Sequence, residues 1–126
     1  MVIGTGVDLV SVARLGRFRE RRGERGLSRL FTPDELAYCL RVAVPERSLA
    51  ARFAAKEAFF KAIGTGYGRE GGGWTEVEVF REASGRPAIR LHGRAARFAV
   101  GRGVRRIHVS LSHTDDMAAA LVVLED

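Results

Sequence analysis

The stretch Ala51-Arg52-Phe53-Ala54-Ala55-Lys56-Glu57-Ala58-Phe59-Phe60-Lys61-Ala62-Ile63-Gly64-Thr65-Gly66 decides the fold. Its alanines have high helix propensity and do not crowd their neighbours. The pattern predicts one long helix over 45–63, opened by Pro45-Glu46 and stopped by Gly64, where a left-handed backbone favours glycine. Phe53, Glu57 and Lys61 fall at i, i+4 and i+8, along one line of that helix, with Arg52 and Lys56 in a second row beside it. Only two of the chain's 21 basic residues are lysine, at 56 and 61, on either side of Glu57. Arginine supplies the positive charge everywhere else, so lysine is expected to be required at these two places. Taken alone, the helix also fits a plain amphipathic element with a Glu57–Lys61 surface pair worth about 0.3–0.5 kcal/mol.

Working outward, 126 residues with 46% hydrophobic content make one domain, 1–126, with a real core. The lone Cys39 excludes an internal disulfide and a cysteine-based zinc site, and fits a reducing cytoplasm. Met1-Val2-Ile3 has no basic flank and Asp8 interrupts the apolar run, so no signal peptide is expected. No apolar run approaches the ~18 residues of a membrane span. The net charge of +6 calls for an acidic partner.

The region 1–10 reads as a strand in which Gly4 and Gly6 allow another backbone to approach. Asp8 within it is either a helix cap or a carboxylate that needs a cation. Ser11 caps a helix from 12 to about 22, ended by Gly23 and Gly26. Its Arg14, Arg17, Arg21 and Arg25 give a basic face, either solvated or able to dock an acidic helix. Thr32-Pro33-Asp34-Glu35 starts a short helix over about 33–42. Six glycines between 64 and 73 make a loop, mobile over a ligand or a plain connector. Strands follow over 75–81 and 88–91 around the turn Ser84-Gly85-Arg86-Pro87, then a helix over 93–100. A hairpin of 107–113 and 117–124 closes the chain, with Ile107, Val109 and Leu111 inward and His113 at the strand end. The class is α+β: an antiparallel sheet packed against one long helix.

Asp8 and Glu57 each sit where a charge is otherwise unwelcome, and together they suit magnesium, which takes one or two carboxylates plus water and phosphate oxygens. Lys61, Arg52 and His113 could hold those phosphates. No Walker loop, dinucleotide fingerprint or nucleophile elbow is present.

Three blocks carry a resemblance: Gly4-Thr5-Gly6-Val7-Asp8-Leu9-Val10, the quoted helix from Arg52 to Gly66, and Val109-Ser110-Leu111-Ser112-His113-Thr114. In order and spacing they resemble the holo-[acyl-carrier-protein] synthases, the small bacterial type of 4'-phosphopantetheinyl transferase. The resemblance covers nearly the whole chain and implies that fold. It implies transfer of the 4'-phosphopantetheine arm of coenzyme A to a serine of apo-acyl carrier protein, releasing adenosine 3',5'-bisphosphate, in fatty acid biosynthesis. By match to the motif, Asp8 and Glu57 would be magnesium ligands and Lys61 a phosphate contact. Arg52, Gly64, Thr65, His113 and Thr114 would lie along coenzyme A, with Gly85-Arg86-Pro87 near the adenine. Arg14, with Arg17 and Arg21 on the same face, would meet the acidic carrier protein. Such enzymes are usually homotrimers with sites between subunits. The candidate general base is Glu57, acting through a metal-bound water.

The alternative from another class is a basic nucleic-acid-binding module drawing on 19 arginines. Phe53, Phe59, Phe60 and Phe98 follow helical core spacing rather than a strand face on which bases stack, so no nucleic-acid partner and no membrane partner are expected.

Overall fold

The computed structural model describes residues 1–65 and 71–126. The elements are β1 (Val2–Ser11), α1 (Val12–Leu30), α2 (Pro33–Cys39), α3 (Pro45–Ile63), a 3-10 turn (Trp74–Glu76), β2 (Val77–Arg81), β3 (Pro87–Leu91), α4 (Gly93–Gly101), β4 (Arg106–His113) and β5 (Met117–Glu125). The predicted order of helices and strands holds throughout. The expected loop over 64–73 lies partly outside the described residues.

The helix α3 runs through the centre. Leu49, Ala50, Ala54, Ala55, Ala58 and Phe59 are wholly shielded from solvent. Each large one contributes roughly 1.5–3 kcal/mol by burial. An antiparallel sheet in the order β1-β5-β4 covers one side of α3, and Ala118, Ala120, Val122 and Leu124 of β5 face it. The other sides meet α1, α2 and β2. This helix is therefore buried round most of its circumference, not amphipathic, because layers cover it on several sides. Gly64 ends it with φ 84°, its N–H bonded to the carbonyls of Phe60 and Lys61.

The break expected at Gly23 is present: its φ of 60° and ψ of −159° are not helical, so α1 is two helical segments meeting at a kink, and the second, running on to Leu30, was not expected. The second half persists because Leu27 is buried in the core and the close-packed Gly26 has no room for a side chain beside Arg22 and Phe18. The strand expected from 75 begins only at Val77. The Glu76 carboxylate accepts the N–H groups of Gly73 and Arg94 and holds residues 74–76 as a turn.

The hairpin β2-β3 forms a second sheet and makes no ladder with the first. Side chains close the outer edge of β2 instead. The Val77 carbonyl accepts from Lys56 Nζ at 2.7 Å, the Val79 N–H donates to Glu35 Oε2 at 2.8 Å, and the Val79 carbonyl accepts from Arg52 Nη1 at 3.1 Å. Lys56 also donates to Glu35 Oε1 at 2.7 Å and to the Trp74 carbonyl at 2.9 Å, with both charged side chains fully buried. Burial pulls the Lys56 ammonium below its ordinary value, and Glu35 opposes that pull. Glu35 is itself held by the predicted capping box with Thr32.

Candidate active site

Two glycines place the first acid. A Cβ at Gly6 would collide with the carbonyl oxygen of Ala58, and one at Gly4 with that of Ala62. Strand β1 therefore lies directly on the backbone of α3, an approach only glycine allows. Asp8, two residues further along the same face, is carried to the Glu57–Lys61 row. Its Oδ1 accepts from Lys61 Nζ at 2.9 Å, and Lys61 also donates to the Val7 carbonyl at 3.1 Å. The lysine thus bonds across to β1 rather than along α3 to Glu57, which replaces the simple surface pair. The other oxygen, Asp8 Oδ2, is buried and has no hydrogen-bond partner.

Glu57 stands beside this pair. Burial raises its carboxyl above the ordinary range and the charge of Asp8 raises it further, while Arg14 and Lys61 act in the opposite sense. A bond to Asp8 and its charge raise Lys61 in turn. Two carboxylates face Lys61 and Arg14 here, yet one buried carboxylate oxygen, Asp8 Oδ2, still lacks a donor or a cation. Among the described residues, no group of three His, Cys, Asp or Glu side chains gathers as a metal cluster. A cation at Asp8 and Glu57 would need water or substrate oxygens to complete its shell, a magnesium habit.

Arg14 lies in the first turn of α1, below the Ser11 cap, with its guanidinium 6.0 Å from the Phe53 ring. It therefore borders the acidic pair. Arg17 and Arg21 continue the exposed row along α1.

A second feature lies on another face of α3. A cavity of about 410 Å³ is lined by Arg47, Ser48, Arg52, Arg81, Pro87 and His113, among others. Arg52 is buried, with its guanidinium 4.3 Å from the Tyr38 ring, and Arg81 approaches the same ring at 5.6 Å. Arg81 also donates to the Gly85 carbonyl at 2.7 Å and so supports the turn before Pro87, in which Gly85 has φ 88°. Arg47 bonds Asp115 at 2.7 Å, while its Nε is buried without a partner. Thr114 uses its hydroxyl oxygen within the turn, accepting from the N–H groups of Asp116 and Met117. Thr65 has a buried hydroxyl without a partner among the described residues, beside Gly71.

The acidic pair and the cavity do not share one face of one chain. Arg52 and Glu57 are five positions apart on α3, about 140° round the helix. Asp8 pairs with Ala120 and His113 with Ala118, on the two outer strands of the sheet, roughly two strand spacings or 10 Å apart. Sequence reasoning found the acids, Lys61, Arg52 and His113. It missed Arg47, Arg81 and Tyr38, which have no spacing signal, and it gave Lys56 no partner because Glu35 lies 21 residues away.

A model of the 4'-phosphopantetheinyl transferase superfamily matches residues 4–122, and the chain belongs to that superfamily. Within it, a holo-[acyl-carrier-protein] synthase of Koribacter versatilis is 51% identical over the full length of both chains. The crystal structure of holo-[acyl-carrier-protein] synthase from Neisseria meningitidis superposes with TM-score 0.92 at 34% identity, over all of both chains. That of the Helicobacter pylori enzyme in complex with coenzyme A superposes with TM-score 0.84 at 28% identity, over 96% of this chain and 99% of the other. The resemblance carried by the three sequence blocks is thus met over the whole chain, and the chain is a member of the holo-[acyl-carrier-protein] synthase group.

Proposed function

We propose that the protein transfers the 4'-phosphopantetheine group of coenzyme A to a serine of apo-acyl carrier protein, in fatty acid biosynthesis. The observation that carries this is the meeting of Asp8 on β1 with Lys61 and Glu57 on α3, with Asp8 Oδ2 buried and unpartnered. The buried, orphaned carboxylate oxygen fits magnesium, with Asp8 and Glu57 as the residues that would hold it. Bound there, the ion would neutralise the diphosphate and steady the leaving anion.

The chain's own groups then divide the work. Lys61 neutralises phosphate oxygens beside Asp8. The serine oxygen of the carrier protein forms the new bond to phosphorus. The phosphorus–oxygen bond to the nucleotide breaks, and adenosine 3',5'-bisphosphate leaves with that electron pair. The serine proton passes to a water held beside Glu57, the candidate base of the site. No side-chain nucleophile is needed, because phosphoryl transfer depends on positioning and charge. Arg47, Arg52 and Arg81 give the cavity the charge to receive the nucleotide half, His113 adds a ring nitrogen at its wall, and Pro87, Gly85, Gly64, Thr65 and Thr114 lie around its path. Arg14, Arg17 and Arg21 form the face for an acidic carrier protein.

The reading extends to a homotrimer with sites between subunits. Two observations support it. The acids and the cavity lie on different faces of α3, so a ligand spanning both is more easily served by two chains. The β1–β5 part of the sheet's outer face is also apolar and bare: Val7 is 60% and Leu9 65% exposed, with Leu121 beside Val7. That is the character of a surface buried in self-association. Phe53, Phe59 and Phe60 are buried in the core and so are not offered to a nucleic acid as stacking surfaces. No described helix is long and apolar enough to cross a membrane, and a cytoplasmic site of action accords with the unpaired Cys39.

The test is direct. Apo-acyl carrier protein incubated with the protein, coenzyme A and magnesium should gain the mass of one phosphopantetheine arm, and should not when magnesium is withheld. A folded protein that leaves the carrier unmodified under both conditions overturns the assignment.

A further inference from the structure

The buried Lys56 has no part in the chemistry above, yet it is one of only two lysines in the chain. It stands one turn from Arg52 on α3, and the two side chains reach carbonyls two residues apart on β2. Glu35 takes the N–H between those carbonyls. Three side chains thus supply the donors and acceptor that a neighbouring strand would otherwise offer to the edge of β2. A third lysine bond fixes Trp74, whose ring packs against Phe53 and Phe60 on the same helix. The hairpin held this way supplies Val79, Phe80, Arg81 and Pro87 to the cavity wall facing Arg47, Ser48 and Arg52 of α3.

We infer that Lys56 is a positioning residue for the nucleotide half of the substrate: with Glu35 it sets the distance between the hairpin and α3, and hence the width of the cavity. This rests on the transferase reading. Only an ammonium on a four-carbon stem reaches Glu35 and two carbonyls at once from inside the core. Loss of the lysine alone would leave Glu35 charged and buried, so a stability loss by itself decides nothing.

The experiment therefore removes both charges. The double variant Lys56→Met/Glu35→Gln keeps similar volumes and retains an amide to pair with Thr32 or Val79. Thermal unfolding is measured alongside steady-state kinetics with coenzyme A and with apo-acyl carrier protein varied separately. The expected result is a lowered Tm with a cooperative transition retained, since two carbonyls lose their donor, KM for coenzyme A raised roughly 10-fold, the order expected for a misplaced binding wall, and KM for the carrier protein unchanged. Glu35→Gln alone, which leaves the lysine bonded to both carbonyls, should show a smaller rise. An unchanged KM for coenzyme A in a folded double variant overturns the assignment. So does failure of both variants to fold, which would make the network a requirement of the fold alone. A wild-type protein without turnover would instead sink the transferase reading, so the two failures are distinguishable.

Discussion

Gly6 of β1 and Ala58 of α3 meet backbone to backbone, with no room between them for even one methyl group. This contact brings a carboxylate near the chain's start to a helix fifty residues later. Replacing Gly6 by alanine must push β1 off α3, and overpacking of this kind costs about 1–3 kcal/mol. The expected outcome is a Tm lower by roughly 5–15 °C, with transfer activity lost even at temperatures where the protein is folded. Gly101→Ala is the control, since a side chain there meets open space. Differential scanning calorimetry with an activity assay at low temperature checks both.

Glu57 is held above the ordinary carboxylate range by burial first and by the charge of Asp8 second. Between the unfolded and the raised folded value, the folded protein keeps a proton that the unfolded chain has lost. Stability from this group therefore rises as pH falls through that window and is lower above it. Glu57→Gln should flatten that slope and leave the metal-free protein at least as stable as wild type. It should also abolish the gain in Tm on adding magnesium and cut transfer by ~10²-fold or more. Wild-type protein should show a smaller magnesium-dependent gain at lower pH, because protons compete for the same oxygen. Thermal scans over a pH series with and without the ion read all of these.

Arg47 bonds Asp115, which is almost wholly exposed, while its Nε remains buried and unpartnered at the cavity rim. A phosphate arriving in the cavity would compete with this carboxylate. Asp115→Asn should therefore tighten binding of adenosine 3',5'-bisphosphate by about 2–5-fold, the value of releasing one exposed pair. Arg47→Ala should weaken it. Titration calorimetry at low salt measures both. Weaker binding in the asparagine variant would show that Asp115 assists the ligand.

Val7 of β1 and Leu121 of β5 are cross-strand partners on the bare outer face of the sheet. Leu121→Asp places a charge at its centre and should leave the folded core intact, since that side chain points away from α3. Light scattering should then show monomers where the wild type is expected to show trimers, with transfer falling in step. Full activity in a monomeric variant would place a whole site within one chain.

The helix over 45–63, its glycine stop and the acidic candidates were legible in the chain because each depends on local spacing. Alanine propensity, a threonine cap and the i, i+4 row all act within a few turns of backbone. The stop at Gly23 was legible, but the second helical segment after it was not, because it rests on the burial of Leu27 against distant residues. Likewise, the sequence marked Lys56 and Lys61 as special but gave no reason for the difference between them. Residues 7 and 8 claim one, and Glu35 with the carbonyls of Trp74 and Val77 claims the other.

What the sequence determined on its own was the set of elements and the identity of the charged residues, through short-range preferences and the resemblance of three blocks. What only the tertiary structure decided was which charges meet and which are kept apart. Asp8 joins Lys61 because two glycines allow β1 onto α3, while Arg52 and His113 open onto another face. Pairings across long stretches of chain depend on how closely backbones approach, and that is a property of the packed molecule.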